Sequence, residues 1–193
     1  MKILVTASKG GVGCSSIAYL LGMMLPERNM YSNDSWHVPD PSILPLNNVS
    51  QFSTLNLEAN SHYIFDISMA REGLLTNEIA KIVDVILIPC SNDLKSAEAA
   101  LSVYKSLVGR CVNCVIVING YRSEKILIGI HNYLTNNLIA PNCIVELRDS
   151  RLMDRIFTYG PEWVESVRHG KGMHRLNNTL AIFTTVLAGA IGL

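Results

Sequence analysis

Residues 1–16 read MKILVTASKGGVGCSS. The apolar run Ile3–Thr6 has the make-up of a buried strand and passes into Lys9, Gly10, Gly11, Val12 and Gly13. A helix is expected to open at Ser15 and to continue from Ser16 to Met24, where Ile17, Leu20, Leu21 and Met24 recur at helical spacing. Glycines let a backbone curl so that several N–H groups point inward, and a helix N-terminus adds partial positive charge. Strand, glycine-rich loop and helix start, in that order, make a cradle for phosphate.

In the phosphate-loop pattern G-x-x-x-x-G-K-[ST] a lysine follows the last glycine. Here Cys14 takes that place, Ser15 and Ser16 follow, and a lysine, Lys9, stands at the head of the loop. The run from Lys9 to Ser15 resembles the deviant Walker A loop, KGGxGK[ST], of the ParA/MinD family, with its second lysine replaced. The resemblance implies a P-loop fold that binds ATP or ADP with Mg²⁺. Gly10, Gly11, Val12, Gly13 and Cys14 would cradle phosphate, with Ser16 beside them. Lys9 would reach the phosphates of the opposite subunit in a face-to-face homodimer.

The remaining strands can be placed in turn. Met30–Asn33 reads as a short strand ending at Asp34, and residues 35–48, with Pro39, Pro41 and Pro45, read as loop. His62–Ser68 is an apolar run carrying Asp66. Leu74–Val83 fits a short helix, and Val85–Pro89 a buried strand. Ser91-Asn92-Asp93 reads as the N-cap of a helix carrying Ala97, Ala100, Leu101, Tyr104 and Leu107. Val115–Asn119, a helix over Lys125–Leu138 and a strand over Cys143–Leu147 follow. Helical pieces are expected over Asp154–Tyr159 and Glu162–Arg168, and a last helix from about Leu176.

Strands alternate with helices and are continuous Val/Ile/Leu runs. That pattern predicts one doubly wound α/β domain over residues 1–193, its mainly parallel sheet covered by helices on both faces. Ligands of such sheets bind beyond the carboxyl ends of the strands. The resemblance assigns roles there. Asp66 matches the Walker B acid and would hold Mg²⁺ with Ser15, since a hard cation takes carboxylate and hydroxyl oxygens. Asp34 would position the attacking water, although Asp34-Ser35-Trp36 departs from the family's D-x-D-P-Q. Val83–Pro89 is similar to the family's ADxVLIP strand. Asn119 stands where the family reads the adenine edge, with turn formation before Gly120 as the alternative.

The family's P-loop lysine donates charged hydrogen bonds and stabilises charge developing in phosphoryl transfer. A thiol is a weak donor, so Cys14 implies binding with weak hydrolysis. The expected function is a nucleotide-dependent dimer that positions a plasmid or chromosome, with an adaptor or activator protein. The alternatives are a non-hydrolysing scaffold that places a pilus or secretion machine, as in the TadZ/CpaE group, and a membrane-surface adaptor.

Net charge is zero, which argues against a whole-protein electrostatic grip on nucleic acid. One local stretch is basic without acid. It carries Arg168, Lys171 and Arg175, and the resemblance implies non-specific DNA contact there. The tail Thr179–Leu193 is uncharged, shorter than an ordinary membrane span and not basic; it reads as a buried last helix, with partner contact as the alternative and membrane contact unfavoured. The chain enters its first strand without an export signal and has five cysteines, an odd number, so a reducing bacterial cytoplasm is expected. Cys111-Val112-Asn113-Cys114 lacks a second pair and leads into an apolar run, which favours small buried residues over a redox or zinc site.

Overall fold

Seven segments of three to nine residues, several of them apolar runs, pair into one sheet. The computed structural model describes residues 1–25, 28–33, 46–58, 61–110, 113–121, 123–140 and 143–148, with Ala181 and Thr185 beyond them. In chain order the elements are β1 (Lys2–Val5), α1 (Cys14–Met24), β2 (Arg28–Ser32), β3 (Leu46–Asn48), β4 (His62–Asp66), α2 (Gly73–Ile79), β5 (Val85–Cys90), α3 (Leu94–Leu107), β6 (Asn113–Tyr121), α4 (Glu124–Asn136) and β7 (Ile144–Arg148). A 3₁₀ turn at Phe52–Thr54 precedes β4. The strand order is β3-β2-β4-β1-β5-β6-β7, and each pairing is parallel.

Alternation along the strands sorts the core onto two faces. Leu4, Phe65, Ile86, Ile88, Ile116 and Ile118 pack with α2, α3 and α4. Ile3, Val5, Ile64, Val85, Leu87, Val115 and Val117 pack on the other face with Ile17, Leu20 and Leu21 of α1. Both faces of β5 are buried, which is why it reads as an unbroken apolar run. The sheet is doubly wound, as its sequence pattern implies, and all parallel among the described strands.

Several boundaries differ from those read in the sequence. Residues 46–48, expected as loop, form the edge strand β3: Met30 pairs with Leu46, and the Asn47 amide donates to the Met30 carbonyl at 3.3 Å. Two asparagines in three residues have poor β-propensity, so only pairing with β2 makes this strand. The first helix begins at Cys14, and β2 at Arg28. The second helix stops at Ile79, where a turn through Lys81 and Ile82 replaces its expected last turn.

Asp34, Trp36, Cys111, Trp163, the helical pieces at 154–168 and the basic residues Arg168, Lys171 and Arg175 lie outside the described residues, as does the C-terminal tail apart from Ala181 and Thr185, which are helical and exposed. Cys114 is buried in the core, in line with the packing role read for it. Among the described residues no group of three or more His, Cys, Asp or Glu could hold a metal ion, and no helix is long and apolar enough to cross a membrane.

Candidate phosphate and metal site

The carboxyl ends of β1, β2, β4, β5 and β6 converge on the loop of residues 7–13. Backbone hydrogen bonds set its base: Thr6 N–H donates to the Leu87 carbonyl at 3.0 Å, and Met69 N–H to the Ala7 carbonyl at 3.2 Å. Gly11 has φ 74° and Gly13 φ 95°, the left-handed region that glycine enters without steric cost. Among the described residues a Cβ on Gly10 or Gly11 would meet nothing within 4 Å, so the loop is open above these positions. At Gly13 the opposite holds, for a Cβ there would collide with the Asn119 amide.

Gly13 is the N-cap of α1, and no side chain caps this helix. Its first-turn N–H groups, from Cys14 to Ser16, therefore have no side-chain partner of the capping kind and face the loop. The sheet's two-residue period explains what meets them. Asp66 lies on the same face of β4 as Ile64, the face covered by α1. The Ser15 hydroxyl accordingly donates to Asp66 Oδ2 at 2.7 Å. Asp66 is almost fully buried, level with Val5 of β1 and Ser32 of β2. The pair expected from the sequence to hold Mg²⁺ is thus brought together from positions 51 residues apart.

Asn119 follows the same logic. It shares its face of β6 with Val115 and Val117, and its amide Nδ2 donates to the Val12 carbonyl at 3.0 Å. It lies against the phosphate loop, and Gly120 at φ 73° turns the strand immediately after it. The pairing with β7 shifts register at this point.

Cys14 is partly buried and packs against the core beneath α1. Burial, with the nearby Asp66 carboxylate, pushes its thiol above the ordinary range, so the side chain is neutral at physiological pH. Lys9 is the one cation between Ser8 and Ser16. Its ammonium lies 3.2 Å from both carboxylate oxygens of Asp93. Asp93 is the N-cap of α3, as its sequence position suggests: Oδ1 accepts from Ser96 N–H at 2.9 Å, and Oδ2 from the Ser91 hydroxyl at 2.8 Å. The Ser91 and Ser96 bonds, aided by Lys9, hold the Asp93 carboxyl below the usual aspartate range.

Two contacts of the site have no signal in the sequence. One is the Lys9–Asp93 pair, 84 residues apart. The other is Asn33, just after β2. Its Oδ1 accepts from Ser68 N–H at 2.9 Å, its Nδ2 donates to the Ser68 carbonyl at 3.4 Å, and its own N–H donates to the Asp66 carbonyl at 3.3 Å. The segment leading to Asp34 is thereby tied to the segment leaving Asp66.

No protein-family model matches the chain, and no curated protein matches it in sequence. Solved structures do match in shape. The McdA–ATP complex from Cyanothece superimposes with a TM-score of 0.62 at 13% identity, covering 100% of this chain and 97% of that one. The MinD cell division protein of Aquifex aeolicus gives 0.61 at 16% identity over 96% and 94%. The pNOB8 ParA bound to nonspecific DNA gives 0.55 at 14% identity over 95% and 98%. This is the fold of the ParA and MinD proteins. The ParA/MinD fold accounts for the expectation drawn from the loop, and it extends along nearly the whole chain although few residues are shared.

The residues present fit a Mg²⁺-bound polyphosphate. A hydroxyl and a buried carboxylate meet at the base of an open, glycine-rich loop, and an uncapped helix start adjoins them. These are the hard oxygen donors and backbone N–H groups that such a ligand takes.

Proposed function

We propose that the chain binds ATP with Mg²⁺ at this loop, dimerises on the nucleotide and positions a cargo such as a plasmid or chromosome, hydrolysing ATP slowly. The observation that carries the reading is the Ser15–Asp66 contact at 2.7 Å beneath the open loop. The ATP complex of a similarly folded McdA supports nucleotide binding, and the DNA complex of a similarly folded ParA supports a nucleic-acid partner. Backbone N–H groups from Gly10 to Ser16 receive the phosphates. Ser15 and Asp66 would hold Mg²⁺, which supplies charge neutralisation at the phosphate oxygens when bound. Asn119, which steadies the loop through Val12, would read the adenine edge. Asp34, following the anchored Asn33, positions water. Lys9 reaches the phosphates of a second copy.

Slow turnover follows from Cys14. A neutral thiol cannot replace the charged donor that stabilises a transferring phosphoryl group. DNA contact through Arg168, Lys171 and Arg175 would be made to phosphates and would weaken with salt.

The test is calorimetric titration of ATP with Mg²⁺ and with EDTA, for the wild type and Asp66→Asn, beside sedimentation velocity with and without ATP. Asparagine keeps an oxygen to accept from Ser15 and removes the charge. The wild type is expected to bind about tenfold or more tightly with Mg²⁺, the scale of a charge-assisted contact, and to sediment as a dimer with ATP. Asp66→Asn is expected to lose the metal dependence. A wild type that does not bind ATP, or binds it equally with and without Mg²⁺, would sink the reading.

A further inference from the structure

Asp93 belongs to none of the phosphate- or metal-holding groups, yet it engages the loop's one cation. Its carboxylate is an immobile acceptor: Ser96 N–H fixes Oδ1 and the Ser91 hydroxyl fixes Oδ2, at 2.9 and 2.8 Å. A further bond, from Ser91 N–H to the Ser96 hydroxyl at 2.8 Å, closes the cap. The donor is the opposite. Lys9 heads a loop with three glycines in its next four residues and is held at 3.2 Å to each oxygen of that fixed carboxylate. The pair is about half exposed, with side-chain accessibilities of 42% and 46%, so it can open into water at small cost.

Lys9 is the one cationic side chain between Ser8 and Ser16, so the loop has no other charged donor to offer an anion. We propose that Asp93 is a positioning residue that sequesters Lys9 in the undocked chain, so that the nucleotide carried by a second copy must compete with Asp93 for the ammonium. The competition is reciprocal. Whatever draws Lys9 onto phosphate leaves Asp93 with its two serine bonds alone, and whatever strengthens the Lys9–Asp93 pair weakens phosphate binding. A docked second copy that took either member of the pair would act in the same way. This inference rests on the nucleotide reading above for its ligand; the pair itself does not depend on it.

Asp93→Asn removes the charge and keeps the cap: its one amide oxygen can accept from Ser96 N–H, and its Nδ2 can donate to the Ser91 hydroxyl in place of accepting from it. Two readouts apply to the full chain. The first needs no nucleotide: the rate at which a small acylating reagent modifies Lys9, followed by mass spectrometry, with Lys105 of α3 as internal reference. The rate at Lys9 is expected to rise about two- to fivefold in Asp93→Asn, the range of an exposed ion pair. The second is Mg²⁺–ATP affinity by titration, expected to tighten by about the same factor in Asp93→Asn. It should not change on adding Asp93→Asn to a Lys9→Ala chain. An unchanged Lys9 rate overturns the proposal whatever ATP does. A faster rate with no gain in ATP affinity, in chains that bind ATP, also overturns it. If no chain binds ATP, the nucleotide reading falls and takes the competition with it, while the labelling rates still report whether Asp93 holds Lys9.

Discussion

Cys14 is the residue that sets this phosphate loop apart. At the first position of α1 it packs inward against the core, where burial and Asp66 keep the thiol protonated. A thiol in that state is a poor nucleophile and a weak hydrogen-bond donor. Two consequences follow at the scale of this side chain. In the folded protein Cys14 is expected to resist alkylation at pH 8, as is Cys90, whose thiol burial pushes up to about 12; thiol labelling before and after unfolding reads this directly. A lysine at the same place would restore a charged donor worth about 1.5–3 kcal/mol, so Cys14→Lys is expected to bind ATP about ten- to hundredfold more tightly by calorimetry. Faster phosphate release should accompany that gain. A Cys14→Lys chain that folds and binds ATP no better would place the phosphates elsewhere.

At the scale of elements, the site is a set of strand and helix ends. The start of α3 shows how one end serves two purposes. Asp93 accepts from Ser96 N–H and so satisfies one of the helix's free donors, while its charge meets Lys9 on the loop after β1. Removing the cap in Asp93→Ala is expected to cost about 1 kcal/mol in urea unfolding. The pH dependence has a definite sign. The folded protein holds Asp93 below its ordinary value of 3.8, so the contribution is fully present above that pH and is lost as the pH falls below it through the depressed value. Wild type and Asp93→Ala should therefore converge in stability in strong acid and differ most near neutrality. Because Asp93 is about half exposed, the difference is small, and denaturant midpoints at several pH values measure it. The end of β2 works similarly without charge, for Asn33 spans the Ser68 backbone and links two loop segments that flank Asp66.

For the whole molecule, an all-parallel sheet buried on both faces ties the site to the core. Ile64, Phe65 and Asp66 are consecutive and fully or almost fully buried. Ile64 meets the α1 face, Phe65 the opposite face, and Asp66 the phosphate loop. Phe65 also stacks on Tyr31 and Tyr63, with ring centroids at 5.7 and 6.3 Å. Phe65→Ala is expected to destabilise the protein by about 3–5 kcal/mol. Since β4 lies between β1 and β2, that loss should appear in one unfolding transition followed alike by far-ultraviolet circular dichroism and by the near-ultraviolet signal of the packed aromatic side chains Tyr31 and Tyr63. Two separate transitions would show that the strands carrying the site unfold independently of the rest.

Much of this architecture was legible in the residues because it depends on local rules. Continuous apolar runs such as Val85–Pro89 mark strands covered on both sides, and Ser91-Asn92-Asp93 marks a helix start. The glycines between Lys9 and Cys14 mark a backbone that must curl around an anion, and that stretch alone pointed to the ParA/MinD fold. The misread elements are those that local rules do not govern. Leu46–Asn48 is a strand only because β2 lies beside it, and the helix after β4 ends early in a turn that its periodicity does not reveal. The site divides in the same way. Ser15, Asp66 and Asn119 could be named from their places at the ends of predicted elements, and the two-residue period of the sheet turns Asp66 and Asn119 toward α1, where Ser15 stands. Which side chains then meet across 84 or 35 residues of chain, Lys9 with Asp93 and Asn33 with Ser68, depends on strand order. By itself the sequence determined a phosphate loop on a doubly wound sheet. Only the tertiary structure decided that the loop's one cation rests on the cap of α3, because β5 lies directly beside β1 and brings that cap to the loop.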